Sequence, residues 1–75
     1  MNNVTSGLGR EAVLHFLDAD YEVVEPGHFV VCAVTGEHIL LEDLRYWSVD
    51  RQEPYGNAAA ALSAYEQAKE NGDAF

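Results

Sequence analysis

The apolar residues of this chain change their spacing near residue 57. Between Val13 and Trp47 they form short runs rich in β-branched and aromatic residues, a pattern typical of β-strands. From Asn57 onward the chain is rich in alanine, and its apolar residues recur at helical spacing. A β-rich segment followed by one helix predicts a small α+β domain.

Turn residues divide the β-rich segment into short strands. Pro26-Gly27 is the strongest turn signal, and we expect Gly27 to adopt a positive φ there. Leu41–Leu44 fits either one helical turn or a wide bend. We predict a short antiparallel meander of three to five strands, drawn from Val13–Leu17, Tyr21–Glu25, His28–Val34, His38–Leu41 and Arg45–Val49.

The predicted strand His28–Val34 is apolar on both faces. A strand with no polar face is covered on both sides or lies centrally in its sheet. Thr35-Gly36-Glu37 then turns the chain back toward His38, which predicts a hairpin. This hairpin has the outline of a zinc ribbon without the metal ligands.

The C-terminal helix is predicted to run from about Asn57 to about Glu70. Asn57 suits the N-cap, and Gly72 lies where a C-terminal cap is expected. We expect Leu62 and Tyr65 to dock the helix on the sheet or on a partner. They belong to a narrow apolar stripe of Ala58, Ala61, Leu62, Tyr65 and Ala68.

A chain of 75 residues forms a single small domain. We divide it into a flexible N-terminus (1–10), a β-rich core (12–55) and a helix (57–70). Seven of its ten alanines lie from Ala58 onward, so much of its apolar content contributes little burial. At this size only roughly 60–65% of the unfolded surface becomes buried. The marginal core leads us to expect either homo-oligomerisation or docking on a partner protein.

The chain is strongly acidic. Thirteen acidic residues against four basic ones give a net charge of −9. Nucleic acids and anionic membranes both select basic surfaces, so we expect neither as a partner. A mimic of nucleic acid stays open as an alternative to an ordinary solvated surface. The chain shows neither a signal peptide nor an apolar run of roughly 18 residues, and we expect a cytoplasmic protein.

Cys32 is the single cysteine, so no internal disulfide can form, which fits a reducing cytoplasm. Cys32 and His38 are zinc-ligand types, and Cys32–Gly36 has the outline of a zinc knuckle in which Thr35 replaces the second cysteine. The spacing is poor for zinc. We favour a buried free thiol in the middle of a strand, with a raised pKa, and we expect no cofactor.

The sequence offers no catalytic signature. It contains no phosphate-binding loop, nucleophile elbow or dinucleotide fingerprint. The adjacent carboxylates Glu42 and Asp43 are expected to be exposed turn residues. We therefore predict that the protein is not an enzyme.

The stretch from Arg45 to Tyr55 concentrates tryptophan, two tyrosines and two of the four basic residues. These residue types dominate binding hot spots. The competing interpretation is that the aromatic residues complete the core while the arginines pair with acids. We predict a protein-binding surface formed by Arg45, Tyr46, Trp47, Arg51, Gln52 and Tyr55.

Two blocks, Cys32-Ala-Val-Thr-Gly36 and Leu44-Arg-Tyr-Trp-Ser-Val49, resemble a bacterial family of unknown function catalogued as 2093. The resemblance covers residues 12–55 and implies no established activity, cofactor or partner. We expect a non-enzymatic protein–protein interaction or accessory module of the bacterial cytoplasm. The alternative is a degenerate zinc-ribbon-like metal-binding or regulatory module that uses Cys32 and His38.

Overall fold

The computed structural model describes residues 9–75. The predicted flexible N-terminus therefore lies mostly outside the described residues. The described chain forms six short strands, one 3₁₀ helix and one α-helix. These are β1 (Val13–Phe16), β2 (Tyr21–Glu25), β3 (Phe29–Val31), β4 (His38–Leu40), the 3₁₀ helix (Leu41–Asp43), β5 (Tyr46–Ser48), β6 (Glu53–Tyr55) and α1 (Ala58–Asn71).

The strands pair in sequence order as three antiparallel hairpins, β1–β2, β3–β4 and β5–β6. The predicted α+β class is confirmed, with one strand beyond the expected maximum of five. The hairpins are separate two-stranded sheets rather than one continuous meander. Few backbone hydrogen bonds connect them, among them those from Ala12 N–H to the Phe29 carbonyl (2.7 Å) and from Ala33 N–H to the Pro54 carbonyl (3.0 Å).

Strand β6 was not predicted, because Pro54 argues against a strand. In the structure the Pro54 carbonyl faces β3, where it accepts the Ala33 N–H. The nitrogen and the carbonyl of one strand residue point to the same side, so the Pro54 nitrogen also faces β3 and lies outside the β5–β6 ladder. The missing N–H of proline therefore costs this hairpin no hydrogen bond.

Strand β3 is shorter than predicted, because the turn after it begins at Cys32. The Cys32 carbonyl accepts the Gly36 N–H at 2.9 Å, and Gly36 has a φ of 79° that favours glycine. The placement of β3 agrees with its apolar faces. It pairs with β4 on one edge, and its opposite edge meets the segment that enters β1 and lies against β6.

Gly27 does not have the positive φ that we predicted for the Pro26-Gly27 turn. The structure gives a different reason for glycine. A Cβ at this position would lie 2.3 Å from the backbone nitrogen of Ala12. On either side of this contact, His28 N–H donates to the Arg10 carbonyl (2.8 Å) and Ala12 N–H donates to the Phe29 carbonyl. Gly27 lets the segment that enters β1 pass directly against the turn.

Helix α1 has the caps that the sequence predicts. The Asn57 side chain accepts the Ala60 N–H at 2.8 Å, and Gly72 ends the helix in the left-handed conformation with a φ of 74°. No helix in the described residues is long and apolar enough to cross a membrane.

The buried face of α1 differs from the predicted stripe, of which only Ala68 is fully buried. Leu62 and Tyr65 are 56% and 46% exposed, and Leu62 is not docked on the sheet. Tyr65 instead meets Phe75 edge to face, with 5.4 Å between ring centroids. The side chains turned inward are the small ones, Ala60, Ala64 and Ala68. Methyl groups let the helix approach β5 and β6 closely, where the rings of Tyr55 and Phe75 already fill the space.

Candidate binding surface

The predicted binding segment forms the hairpin β5–β6, and Tyr55 lies at its centre with no exposed surface. Its ring stacks on Phe75 at 5.9 Å and 8° between ring planes. Its hydroxyl donates to the Glu53 carboxylate at 3.1 Å. Burial, together with the hydrogen bond and charge of Glu53, raises the pKa of Tyr55 to about 12. This side chain belongs to the core and cannot contact a partner.

Trp47 joins the β5–β6 hairpin to the β1–β2 hairpin. Its ring stacks on Phe16 with 5.7 Å between centroids and meets Tyr21 edge to face at 5.9 Å. Its indole N–H donates to the Leu17 carbonyl at 2.7 Å. The half-buried indole therefore packs within the domain, and its polar end is satisfied by β1–β2.

Gln52 clamps the outer edge of β1. Its side-chain oxygen accepts the Phe16 N–H, and its amide donates to the Phe16 carbonyl, both at 2.8 Å. A further bond reaches the Val49 carbonyl at 2.7 Å. The amide group thus replaces one residue of a neighbouring strand. Gln52 is the one described non-glycine residue with a positive φ, 53°, so these bonds hold a conformation that a side chain disfavours.

We predict that Gln52→Ala lowers the free energy of unfolding by about 2 kcal/mol, because it removes three hydrogen bonds and leaves the positive φ in place. Urea denaturation measures this loss. The matched control is Gln67→Ala on the exposed face of α1, where we expect a change within about 0.5 kcal/mol. Equal effects at the two positions would show that the clamp contributes nothing.

The three remaining predicted residues fall into two groups. Arg51 is half-buried between two carboxylates, with Nε 3.3 Å from Glu53 and a terminal nitrogen 3.9 Å from Asp73. Arg45 is exposed and forms no ion pair with the described residues, and Tyr46 is 40% exposed. The structure therefore leaves Arg45 and Tyr46 as the accessible part of the predicted surface.

Cys32 lies in the turn after β3, not in the middle of a strand, and is 2% exposed. Burial raises the pKa of its thiol, but hydrogen bonds from Thr35 and from backbone groups of Gly56 and Val34 more than offset this. The pKa is therefore lowered, in contrast to our prediction. The Thr35 N–H reaches the sulfur at 3.4 Å.

The turn thus directs several hydrogen bonds at a single thiol. His38, the other residue of the metal alternative, stacks flat on Phe29 with 4.1 Å between ring centroids. Within residues 9–75, no three His, Cys, Asp or Glu side chains are grouped as metal ligands. The described residues therefore supply no ligand set for the alternative function.

The β1–β2 hairpin exposes aliphatic side chains that the sequence analysis did not select. Val13 is 45% exposed, Leu17 38%, Val23 53% and Val24 62%. Val24 has no partner residue in β1, because a bulge places it between two paired positions. The signal available in the sequence was the Val23-Val24 pair, which puts valine on both faces of one strand.

A groove opens beside this hairpin, between β1, β3 and β6. It has a volume of about 200 Å³. Its lining is apolar apart from one carboxylate, and comprises Glu11, Ala12, Val13, Leu14, Phe16, Val30, Val31 and Pro54. Leu14 and Val31 are half-buried there, so the groove is continuous with the exposed surface of the hairpin.

A family model described as an uncharacterized protein conserved in bacteria, DUF2093, matches residues 23–68, more than half of the chain. The chain belongs to the DUF2093 family. The predicted resemblance is confirmed, although the DUF2093 match begins later than residue 12 and continues well into α1. No curated protein and no solved structure matches the chain.

The groove straddles the start of the DUF2093 match. Val30, Val31 and Pro54 lie within the matched residues, whereas Leu14 and Phe16 of β1 precede them. Among the aliphatic residues of the hairpin, Val23 and Val24 lie within the match.

Proposed function

We propose that this DUF2093 protein is a non-enzymatic module of the bacterial cytoplasm that binds a partner protein through its β1–β2 hairpin. The observation that carries the proposal is the exposure of Val13, Leu17, Val23 and Val24 on that hairpin. These four are half of the large exposed aliphatic residues in the described part of the chain, and exposed apolar groups concentrated on one element of a small domain are typical of interaction sites. The net charge of −9 disfavours nucleic acid as the partner, and the single free cysteine fits a reducing compartment.

The bulge in β2 supports a binding role for the hairpin. It interrupts the ladder with β1 at Val24, and bulges of this kind re-aim side chains next to functional sites. Val24 is the most exposed of the four aliphatic residues, at 62%. Leaving so much aliphatic surface in water gives up burial energy, about 25 cal/mol per Å² of apolar area, which contact with a partner would recover.

Site-specific cross-linking tests the proposal. A photoreactive amino acid replaces Val24 in the full chain, and cells that express it are irradiated. We expect a discrete adduct with another protein, which the additional change Val23→Lys should abolish in a chain that stays folded by circular dichroism. The control places the same amino acid at Glu66, on the exposed face of α1.

Three outcomes would contradict the proposal. They are no adduct at Val24, the same adduct at Glu66, and an adduct made only of two copies of this chain. The last would identify self-association in place of a partner.

A further inference from the structure

The backbone ladder between β3 and the segment that enters β1 begins before β1 and then stops. A parallel bridge joins Glu11 to Phe29, and the Ala12 N–H donates to the Phe29 carbonyl at 2.7 Å. The next rungs of a parallel ladder would use Val31 and Leu14. In the described part of the chain these rungs are not formed, and the groove occupies their place.

The backbone of Leu14 faces the groove rather than β2. Along β1, the Leu17 N–H points to β2 and bonds to the Asp20 carbonyl, while the Phe16 N–H points away and bonds to Gln52. Successive residues of a strand alternate in this way, and the bulge lies before Leu14. Leu14 therefore shares the orientation of Phe16, and its N–H and carbonyl point away from β2.

The backbone of Val31 faces the same groove from β3. The Cys32 N–H bonds to the Glu37 carbonyl on the β4 side, while the Ala33 N–H bonds to the Pro54 carbonyl on the other side. Val31 alternates with Cys32 and so shares the orientation of Ala33. Two strand edges, each with a donor and an acceptor, thus border one apolar groove.

We propose that this groove binds an extended segment of a partner protein, which bonds to the backbone of Leu14 or Val31 and places one aliphatic side chain between them. The inference rests on the proposed function and names the chemistry of the partner. Adding a strand to an open edge supplies affinity through main-chain hydrogen bonds, and a pocket for a side chain supplies specificity.

The size of the groove favours one side chain over a small molecule. Its volume of about 200 Å³ is below the range of roughly 300–1,000 Å³ that is typical of ligand pockets. Its buried walls include Ala12, Phe16 and Val30, all less than 5% exposed. An aliphatic side chain would lose its contact with water there and would bring no polar group of its own into the groove.

The negative charge of the groove and of the whole chain favours particular residues beside the bound aliphatic side chain. Glu11 is the one charged residue that lines the groove, and the whole chain carries −9. A segment with lysine or arginine beside its aliphatic residue would be attracted, and one with acidic neighbours repelled. The same charge disfavours a second copy of this chain, because two copies bring −9 each.

The test uses the ¹⁵N-labelled full chain and the capped probe peptide Lys-Thr-Val-Leu-Thr-Lys. We expect the Leu14 and Val31 amides to shift on titration, and at least one of them to exchange with solvent about tenfold more slowly. The peptide Glu-Thr-Val-Leu-Thr-Glu should bind at least about tenfold more weakly, since only its charge is reversed. Lys-Thr-Ala-Ala-Thr-Lys removes the aliphatic anchors and should also bind more weakly.

Two variants complete the test. Val31→Lys puts a positive charge into the groove and should abolish binding of the lysine peptide, whereas Val24→Lys, outside the groove lining, should leave more of it. Glu11→Gln changes an exposed side chain and should weaken binding of that peptide without unfolding the domain. Circular dichroism confirms the folding of each variant.

The inference is overturned if neither amide shifts, if both charged peptides bind equally, or if both amides are already protected from exchange in the free protein. Persistence of the Val24 adduct alongside any of these results would leave the proposed function standing and remove only this inference. Absence of the Val24 adduct, with the peptide results as expected, would remove the proposed function.

Discussion

Replacing Tyr55 with alanine should leave the domain unfolded at 25 °C. The ring has no exposed surface, stacks on Phe75 and forms part of the central cluster of buried residues. Removing a large buried aromatic ring costs about 3–5 kcal/mol. A single core of this size rarely supplies more than about 3–5 kcal/mol in total. Far-ultraviolet circular dichroism and the dispersion of amide proton resonances would show the loss of structure.

The conservative variant Tyr55→Phe is the control. It keeps the ring and removes the hydrogen bond to Glu53, so we expect a loss of about 1 kcal/mol in urea denaturation. A Tyr55→Ala variant that melts at the wild-type temperature would contradict the burial of this residue. It would also return Tyr55 to the predicted binding surface.

The raised pKa of Tyr55 gives this residue a pH dependence. Its hydroxyl is held protonated up to about 12 in the folded protein, against 10 as the ordinary value. Between these two pH values the unfolded chain binds fewer protons than the folded one, so stability falls as pH rises through that window. Below pH 10 this contribution is fully present. Urea midpoints measured from pH 9 to pH 12 should fall more steeply for the wild type than for Tyr55→Phe.

Gly27→Ala is expected to be the second most damaging change. A Cβ at Gly27 would lie 2.3 Å from the Ala12 nitrogen and 2.6 Å from the Ala12 Cα, and backbone atoms cannot move aside as a side chain can. Relieving this overlap would displace the segment that enters β1 and its hydrogen bond to Phe29. We expect a loss of about 3 kcal/mol or more in the free energy of unfolding.

Gly36→Ala is the matched control. A Cβ there meets no atom within 4 Å, although its φ of 79° disfavours alanine. We expect a loss of about 1 kcal/mol at Gly36 from this strain. If Gly27→Ala cost no more than Gly36→Ala in urea denaturation, the close approach of Ala12 would not constrain the fold.

Short-range signals allowed much of the fold to be predicted. The caps of α1 depend on Asn57 and Gly72, whose side chain and φ act within a few residues. Strand Tyr21–Glu25 was predicted with its observed bounds, because its residues favour strands and turns flank it. Strand β6 was missed because it contains Pro54. A proline is compatible with a strand only when its nitrogen faces away from the paired strand, as Pro54 does by facing β3 instead of β5. The sequence does not show which side the nitrogen faces.

The candidate site was harder to predict, because exposure is a property of the assembled domain. Tyr55, Trp47 and Gln52 have the composition of a binding surface, but each is committed to contacts inside the domain. In the sequence, Val23 and Val24 indicate an ordinary β-strand and give no sign that their side chains are exposed. Their exposure follows from the absence of a third strand or a helix against that hairpin among the described residues.

The sequence by itself determined the class of the domain, the ends of its helix, its acidic charge and its family. These depend on local backbone preferences, composition and short motifs. Only the tertiary structure decided which face of α1 is buried, since Ala60 and Ala61 are chemically the same and the rings beneath the helix select between them. Only the tertiary structure showed the groove, because the groove opens where two segments joined at Glu11 and Phe29 move apart. Leu14 and Val31, distant in the sequence, then line its two sides.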